Sequence, residues 1–494
     1  MRTILAHVRA AAGTVAGVML SFWSVLAVRD AAGLSLNVVV LAVAIAVMAS
    51  LVMPRLTLAA RLAGLAVVPL AAAAATEVGV LFRTHANVGG TVFVLALAAA
   101  VWLRRFGQFA SSVGTLMSLP FVATLVAPLP QPSGLRHLLW SAVAAAIAAG
   151  WVGLVHLATQ PPAGAPGTSP ATRAVTGRRR LPVSTRMAIQ LAAALATALV
   201  LGRTLYPEHW VWPVITAYIV CSGNRGRADV AYKGVLRVAG ALAGTLVATA
   251  LLVGVFDAGS PGAVACIFVV LAVATTLRPL NYAYWAACVT AALAFLYEYF
   301  GQTGSHLLYT RLAGILLGGA AGIAASWLLL PIHGADVLRA RHADVLAALT
   351  EVLTAVRRDP AQLPEQRARF DRALAELDRV APPLVAGERL TGRRPGRAAV
   401  RSTVAALHRC AAPVGALARH AAADPARLRT RDVAGTATAL TARVVELRRS
   451  LASRPAAPFA TRTLPATQAP SSAATDAGPL ADLAAIDAAL HALA

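Results

Sequence analysis

As far as Pro331 the chain alternates long apolar runs with short basic loops, and beyond it the pattern changes. Twelve apolar runs precede Pro331, at 10–28, 36–53, 58–76, 88–103, 110–129 and 137–157, then 187–205, 208–222, 234–255, 262–277, 281–300 and 307–330. Most approach the ~20 apolar residues that carry an α-helix across a hydrocarbon core of about 30 Å. Lipid offers the backbone no hydrogen-bond partners, so such runs must be helices. A barrel would alternate polar and apolar positions instead. After Pro331 apolar residues recur at helical spacing. Val345, Leu349, Val352, Leu353 and Val356 form one stripe, and Phe370, Leu374 and Leu377 another. Amphipathic stretches follow at 397–420 and 431–452, and a short Ala-rich helix closes the chain.

The run at 208–222 stands apart. Its apolar part, Trp210 to Cys221, is 12 residues long and contains Pro213. At 1.5 Å per residue it covers about 18 Å, short of a crossing. Short, proline-bearing segments flanked by long ones mark binding sites in transporters. The alternative is a crossing that recruits Tyr206 to His209 and Ser222, with Tyr and Trp as ordinary interface anchors.

The two sets of six runs repeat. Arg9 and Arg186 each precede a first run, 177 residues apart. Arg61-Leu-Ala-Gly64 recurs as Arg237-Val-Ala-Gly240 at 176, Arg104 as Arg278 at 174, Arg136 as Arg311 at 175, and Pro161 as Pro331 at 170. Six is an even number, so both sets enter the membrane the same way up, as a parallel repeat with its natural pathway between the halves. The expected architecture is an all-α membrane protein with two parallel six-helix transmembrane repeats and a C-terminal cytoplasmic helical domain. The repeats occupy 1–157 and 187–331. A Pro/Gly/Arg-rich cytoplasmic linker spans 158–186, the helical domain 332–452, and a largely disordered Pro/Ala/Thr/Ser-rich tail 453–494.

Composition agrees: of 494 residues 58% are hydrophobic and 13% charged, with a mean hydropathy of +0.67, whereas soluble domains carry about 25% charged residues. The net charge of +23 raises the question of nucleic acid, but its distribution argues against it. Before Pro331 the 21 basic residues sit mostly in short loops, 16 of them on the side of the N-terminus. That asymmetry puts both termini in the cytoplasm. The Arg178-Arg179-Arg180 cluster reads as a solvated topology determinant near anionic lipid. The four cysteines lie far apart, which supports neither a disulfide framework nor a zinc site. The apolar run behind Arg2 and Arg9 is too long for a signal peptide and reads as a first transmembrane helix.

Candidate chemistry is sparse. Glycine pairs at four-residue steps, such as Gly240/Gly244 and Gly314/Gly318, mark close helix packing. Arg61 and Arg237 fall a turn or so inside cytoplasmic helix ends, and Arg136 and Arg311 near outer ends. They are either snorkelling residues or a ring of guanidiniums that guides a carboxylate. Among the few acidic residues before Pro331, Glu298 is the candidate for proton coupling, against an interfacial placement. Tyr206, Trp210, Trp212 and Tyr218 either stack on an aromatic substrate or anchor the interface. No phosphate loop, HExxH or nucleophile elbow occurs, so neither an enzyme nor an ATP-driven pump is expected, and no cofactor.

Three stretches carry a family resemblance: His209-Trp210 through Thr216; Arg237-Val-Ala-Gly240-Ala-Leu-Ala-Gly244-Thr245; and Thr310-Arg311-Leu-Ala-Gly314-Ile-Leu-Leu-Gly318 leading to Pro331. Together they resemble the fusaric-acid-resistance (FUSC) family of bacterial membrane proteins. That family is related to aromatic-acid exporters and, more distantly, to plant aluminium-activated malate channels. The resemblance is clearest from 187 to 331. It implies an inner-membrane exporter of small organic anions, typically aromatic carboxylates. From their placement, rather than from the resemblance, Arg61, Arg237 and Arg311 are the candidate substrate-binding arginines, with His209 and Trp210 at the aromatic-rich outer mouth. The first half lacks the His-Trp pair, having Gly33 and Leu34 there. An anion channel on the same fold, or a membrane scaffold that docks a partner through its cytoplasmic domain, are the competing readings. Partners compatible with them are the anion, membrane lipids, and either a second copy or an accessory protein.

Overall fold

The structure, a computed structural model, describes residues 2–126, 134–159, 181–223, 226–252, 260–299, 305–332, 334–391, 396–453, 478–491 and 493. Most of the expected linker (160–180) and most of the Pro/Ala/Thr/Ser-rich tail (454–477) lie outside the described residues. The regular elements are helices throughout the described residues.

Six helices make up the first half: α1 (Arg2–Ala32), α2 (Leu36–Val52), α3 (Leu58–Thr84), α4 (Ala86–Trp102), α5 (Gln108–Val126) and α6 (Gly134–Thr159). Six more follow: α7 (Val183–Leu205), α8 (Val211–Cys221), α9 (Arg227–Leu252), α10 (Pro261–Leu277), α11 (Tyr282–Tyr299) and α12 (Ser305–Leu328). Each expected run is a helix, with ends displaced by up to eight residues. Turn chemistry sets some of those ends. Gly33, at φ +63°, closes α1, and the Leu34 N–H returns to the Arg29 carbonyl at 3.0 Å. The end of α12 is held by side chains of α7. Gln190 Nε2 donates to the Leu329 carbonyl at 2.8 Å, and Arg186 Nε to that of Leu330 at 3.1 Å. Arg186 is thus a helix cap as well as a topology residue.

Twelve crossings were expected. Among the described residues nine helices are long and apolar enough to cross a membrane, and α8, α10 and α11 are shorter apolar helices. The chain is a multi-pass membrane protein. Exposed leucines such as Leu62, Leu70, Leu95 and Leu246, a liability in water, are at home against lipid. The first, second and sixth helices of each half pack on one another, α1/α2/α6 and α7/α8/α12. Contacts across the halves are reciprocal: α4 packs on α7, and α1 on α10.

The chain divides into two compact units, one of residues 1–224 and 233–331, the other of 225–232 and 332–494. The second contains α13 (Gly334–Arg358), α14 (Leu363–Thr391), α15 (Gly396–Arg409), α16 (Ala411–Ala423), α17 (Arg431–Ser453) and α18 (Pro479–His491). Both apolar stripes lie in its core, with Val345, Leu349, Val352, Phe370 and Leu377 fully buried. The stretch read as one amphipathic element at 397–420 is two helices that break at Cys410, where the Cys410 N–H turns back to the Leu407 carbonyl at 3.2 Å. The closing Ala-rich helix, α18, inserts Leu483, Ile486 and Leu490 into the same core. The Asp482 Oδ2 atom on its first turn lies 3.3 Å from His420 Nε2 of α16.

One core residue of this unit titrates. His342 of α13 is fully buried, and neither ring nitrogen has a hydrogen-bond partner among the described residues. Burial pushes it down to about 4 from an ordinary value of 6.5. The unfolded chain therefore binds the extra proton between pH 6.5 and 4. Stability is full above pH 6.5 and is lost as pH falls through that window, by up to about 3 kcal/mol. Hydrogen-exchange protection of α13 in the full-length protein should fall more from pH 7 to pH 5 in wild type than in His342→Leu. Equal slopes in the two proteins would remove His342 as the cause.

Candidate functional site

The site is built by two copies of one spacing, Arg-x-x-Gly-x-x-x-Gly, in α9 and α12. Residues three and seven positions on share one helix face with the arginine. The glycines bring a neighbouring helix into backbone contact on that face, and the arginine is laid against whatever that neighbour carries.

In α12 the copy is Arg311, Gly314 and Gly318. A Cβ on Gly314 would meet Trp212 Cβ at 2.9 Å, and one on Gly318 would meet the Pro213 carbonyl oxygen at 2.1 Å. Only glycines let α8 approach so closely. The consequence is that Arg311 Cζ stands 4.5 Å from the ring centroid of Trp212 and 5.5 Å from that of Tyr297 of α11. The two rings are 5.7 Å apart and tilted by 55°. Arg311 Nη2 donates to the Thr290 carbonyl of α11 at 2.9 Å. That carbonyl is in an ordered turn, because Thr290 Oγ1 in turn donates to Ala286 at 2.8 Å. Arg311 is 3% exposed, and its Nε has no acceptor among the described residues.

In α9 the copy is Arg237, Gly240 and Gly244. Here the neighbour is α11. A Cβ on Gly240 would lie 2.5 Å from the Ala283 carbonyl oxygen, and one on Gly244 2.1 Å from that of Ala287. Arg237 is 2% exposed, the bulkiest of the fully buried side chains, and its Nε also lacks an acceptor among the described residues. The Tyr282 phenol of α11 and the Arg311 guanidinium are both within coulombic range of it. Among the described residues no carboxylate pairs with either arginine.

Arg237 lies ten residues beyond Arg227, where α9 begins, and four beyond Lys233, where the first unit resumes; its burial is what bears on its role. A snorkelling arginine keeps its head in water, and a 2% exposed one does not. Arg311 is likewise buried. Its repeat partner Arg136 is exposed and donates to the Ala32 carbonyl at the end of α1 at 3.1 Å. Arg61 of α3 is buried, with His156 of α6 within coulombic range. The structure therefore brings Arg237 and Arg311 together, leaves Arg61 with α6, and removes Arg136 from any ring.

Pro213 does not interrupt α8. It is the third residue of the helix, where a missing N–H costs nothing. Nor are Tyr206 to His209 recruited to lengthen the helix. They form a turn in which the His209 N–H donates to the Tyr206 carbonyl at 2.9 Å. With 11 residues, eight of them buried, α8 is an interior element about 16 Å long. Trp210 packs away from Arg311: its ring is 4.9 Å from Phe82 and 5.0 Å from Arg203 Cζ. His209 is half-buried beside it. Tyr218 hydrogen-bonds Ser118 of α5 at 2.9 Å rather than waiting for a ligand. Glu298 lies on α11, but its side chain is outside the described residues.

Sequence reasoning missed Tyr297, Thr290 and Arg203. The first two were legible in principle: they are seven apart on α11 and so share the face that meets Arg311.

No curated protein matches the chain. Residues 191–325 match the family model described as fusaric acid resistance protein-like. The match contains Trp212, Arg237, Thr290, Tyr297 and Arg311 and leaves the first half outside. The motifs that resemble that family in the sequence fall within the matched segment, which is thus a fusaric acid resistance protein-like region.

Proposed function

We propose that the chain is an inner-membrane efflux transporter for small organic anions, such as aromatic carboxylic acids. One observation carries the reading: two arginines lie buried in the membrane half with no carboxylate partner among the described residues. An arginine at membrane depth costs about 2.5–3.5 kcal/mol on the insertion scale. Two of them also repel one another. Such an arrangement makes sense when an anion completes it, because a carboxylate accepts charge-assisted hydrogen bonds in the guanidinium plane. Trp212 and Tyr297 hold the Arg311 guanidinium by cation–π contact. The reciprocal packing of α4 on α7 and α1 on α10 supports two parallel six-helix repeats. Trp210 packs on Phe82 and Arg203 with His209 beside it, and Arg61 lies near α6 of the first half, so the reading rests on Arg237 and Arg311. Counterflow of labelled benzoate in proteoliposomes tests the reading directly. Saturable counterflow is expected, and its absence across a panel of mono- and dicarboxylates would overturn it.

Two further outcomes follow. With 16 of 21 basic residues before Pro331 on one side, Ser169 and Ser450 should be cytoplasmic. Cysteines placed there should resist an impermeant reagent in intact cells and react after lysis; labelling in intact cells would invert the topology. Truncation after Ile332 should leave a membrane half that inserts. If that protein inserts but transports nothing, the second unit regulates transport or docks a partner. If it transports normally, the second unit is dispensable for the chemistry.

A further inference from the structure

The inference here rests on the anion-transport reading. A fused pseudo-dimer suggests a route along the seam between its halves, but the seam has the wrong chemistry. Where α4 meets α7 and α5 meets α8, one apolar cluster runs across it, joining Phe93 and Leu97 to Leu195 and Val214, all buried. Tyr218 and Ser118 close it with their hydrogen bond. On the other side Phe22 of α1 meets Phe268 of α10 edge to face at 5.3 Å. Cations at the seam include Arg104, Arg203 and Arg278, each half-buried; Arg203 has one buried nitrogen without an acceptor among the described residues, and its guanidinium is taken up by the rings of Phe82 and Trp210. A packed apolar layer excludes an unpaired anion far more strongly than a guanidinium-lined one.

The interior of the second half is different. Tyr282 beside Arg237 and Thr290 beside Arg311 lie on α11, eight residues and about 12 Å apart. The two arginines are thus successive charges along one helix. The first half cannot reproduce this. Its copy of the α9 motif reads Arg61, Gly64, Val68, and its copy of the α12 motif reads Arg136, Leu139, Val143. Gly64 faces side-chain atoms of Leu116 and Met53 rather than backbone, at 3.2 Å and beyond. The position matching Trp212 is Leu36 or Asn37, and that matching Tyr297 is Val122 or Ala123. Gly64 thus meets side chains where Gly240 meets backbone, and the first half has no aromatic ring at the positions matching Trp212 and Tyr297.

We propose that the anion passes inside the second half, along α11, with Arg237 and Arg311 as successive stations, and that the first half is a scaffold carrying no second route. Arg311 binds the carboxylate. Trp212 and Tyr297 are positioning residues, whose ring faces hold the guanidinium by cation–π contact.

The test uses full-length protein in proteoliposomes, with labelled benzoate as the probe and counterflow normalised to inserted protein. Arg311→Gln should lose at least tenfold in transport, while Arg136→Gln and Ser118→Ala in the seam stay within twofold of wild type. Trp212→Leu should raise KM severalfold at near-normal maximal rate, and Trp212→Phe should restore most of it; a purely structural role would lower the rate and the inserted amount together. Equilibrium binding of benzoate should be lost in Arg311→Gln and kept in Arg136→Gln. If Arg136→Gln or Ser118→Ala falls as far as Arg311→Gln, the route runs between the halves, and this inference fails while anion transport stands. If Arg311→Lys and Arg311→Gln both transport like wild type, the stations are wrong. If wild type moves no anion, both readings fail.

Discussion

Arg237→Gln is expected to lower export of organic anions about ten- to hundredfold per inserted molecule. A hydrogen bond to a charged group is worth about 1.5–3 kcal/mol, and about 1.4 kcal/mol is a factor of ten. Arg237→Lys should fall between, because it keeps the charge but loses the planar fork. The sign of the stability change separates function from packing. Arg237 is a buried cation whose Nε lacks an acceptor among the described residues. Replacing it with a neutral side chain of similar length removes a desolvation cost rather than a partner. The thermal midpoint of purified Arg237→Gln should therefore equal or exceed that of wild type while transport collapses, as strained functional sites behave. A packing role predicts the reverse, with transport tracking the amount of folded protein. Wild-type rates in the Gln variant would take Arg237 out of the site. An equal loss for a neutral analogue such as benzamide would assign it to packing.

What could be read from the chain follows from the solvent each part meets. Lipid imposes one rule on every residue it touches, so the apolar runs marked α1 to α12 closely from hydropathy alone. The stripe Val345-Leu349-Val352-Val356 was equally plain, because a water-facing helix must segregate its faces. Burial and partnership were not legible. Hydropathy starts α9 near residue 234, since Arg227, Asp229 and Lys233 are polar, yet the backbone continues the helix through them. Arg237 therefore looks like an end residue in sequence, and only its neighbours in the fold bury it to 2% exposure. The same limit hid the difference between Arg136 and Arg311. Both stand near the start of an apolar run, and only the three-dimensional neighbours decide that one caps α1 while the other lies over the faces of Trp212 and Tyr297. Pro213 misled for a local reason: a proline inside an apolar run suggests a break, but three residues after Trp210 starts the helix it fits the first turn.

The glycine motif can be tested without touching a charge. Gly318→Ala should sharply reduce folded protein, and Gly319→Ala should slightly increase it. A Cβ at 318 would sit 2.1 Å from the Pro213 carbonyl oxygen and 2.9 Å from its Cα. Those are backbone atoms and cannot rotate away, so α8 and α12 would have to part by roughly 1 Å to reach van der Waals contact. Overpacking of this kind costs about 1–3 kcal/mol, and the larger Gly318→Val more. Nothing lies within 4 Å of a Cβ at 319. There the alanine only gains helix propensity, about 0.5–1 kcal/mol. The thermal midpoint and the monodisperse fraction in detergent should thus move in opposite directions for adjacent residues. Transport adds a second readout. Trp212 precedes the contacted proline, so separating the helices withdraws its ring from Arg311. Whatever Gly318→Ala protein does fold should show a raised KM for benzoate, and Gly319→Ala should not. A wild-type midpoint in Gly318→Ala would mean that α8 and α12 do not meet at this point, and the clamp on Arg311 would fall with them.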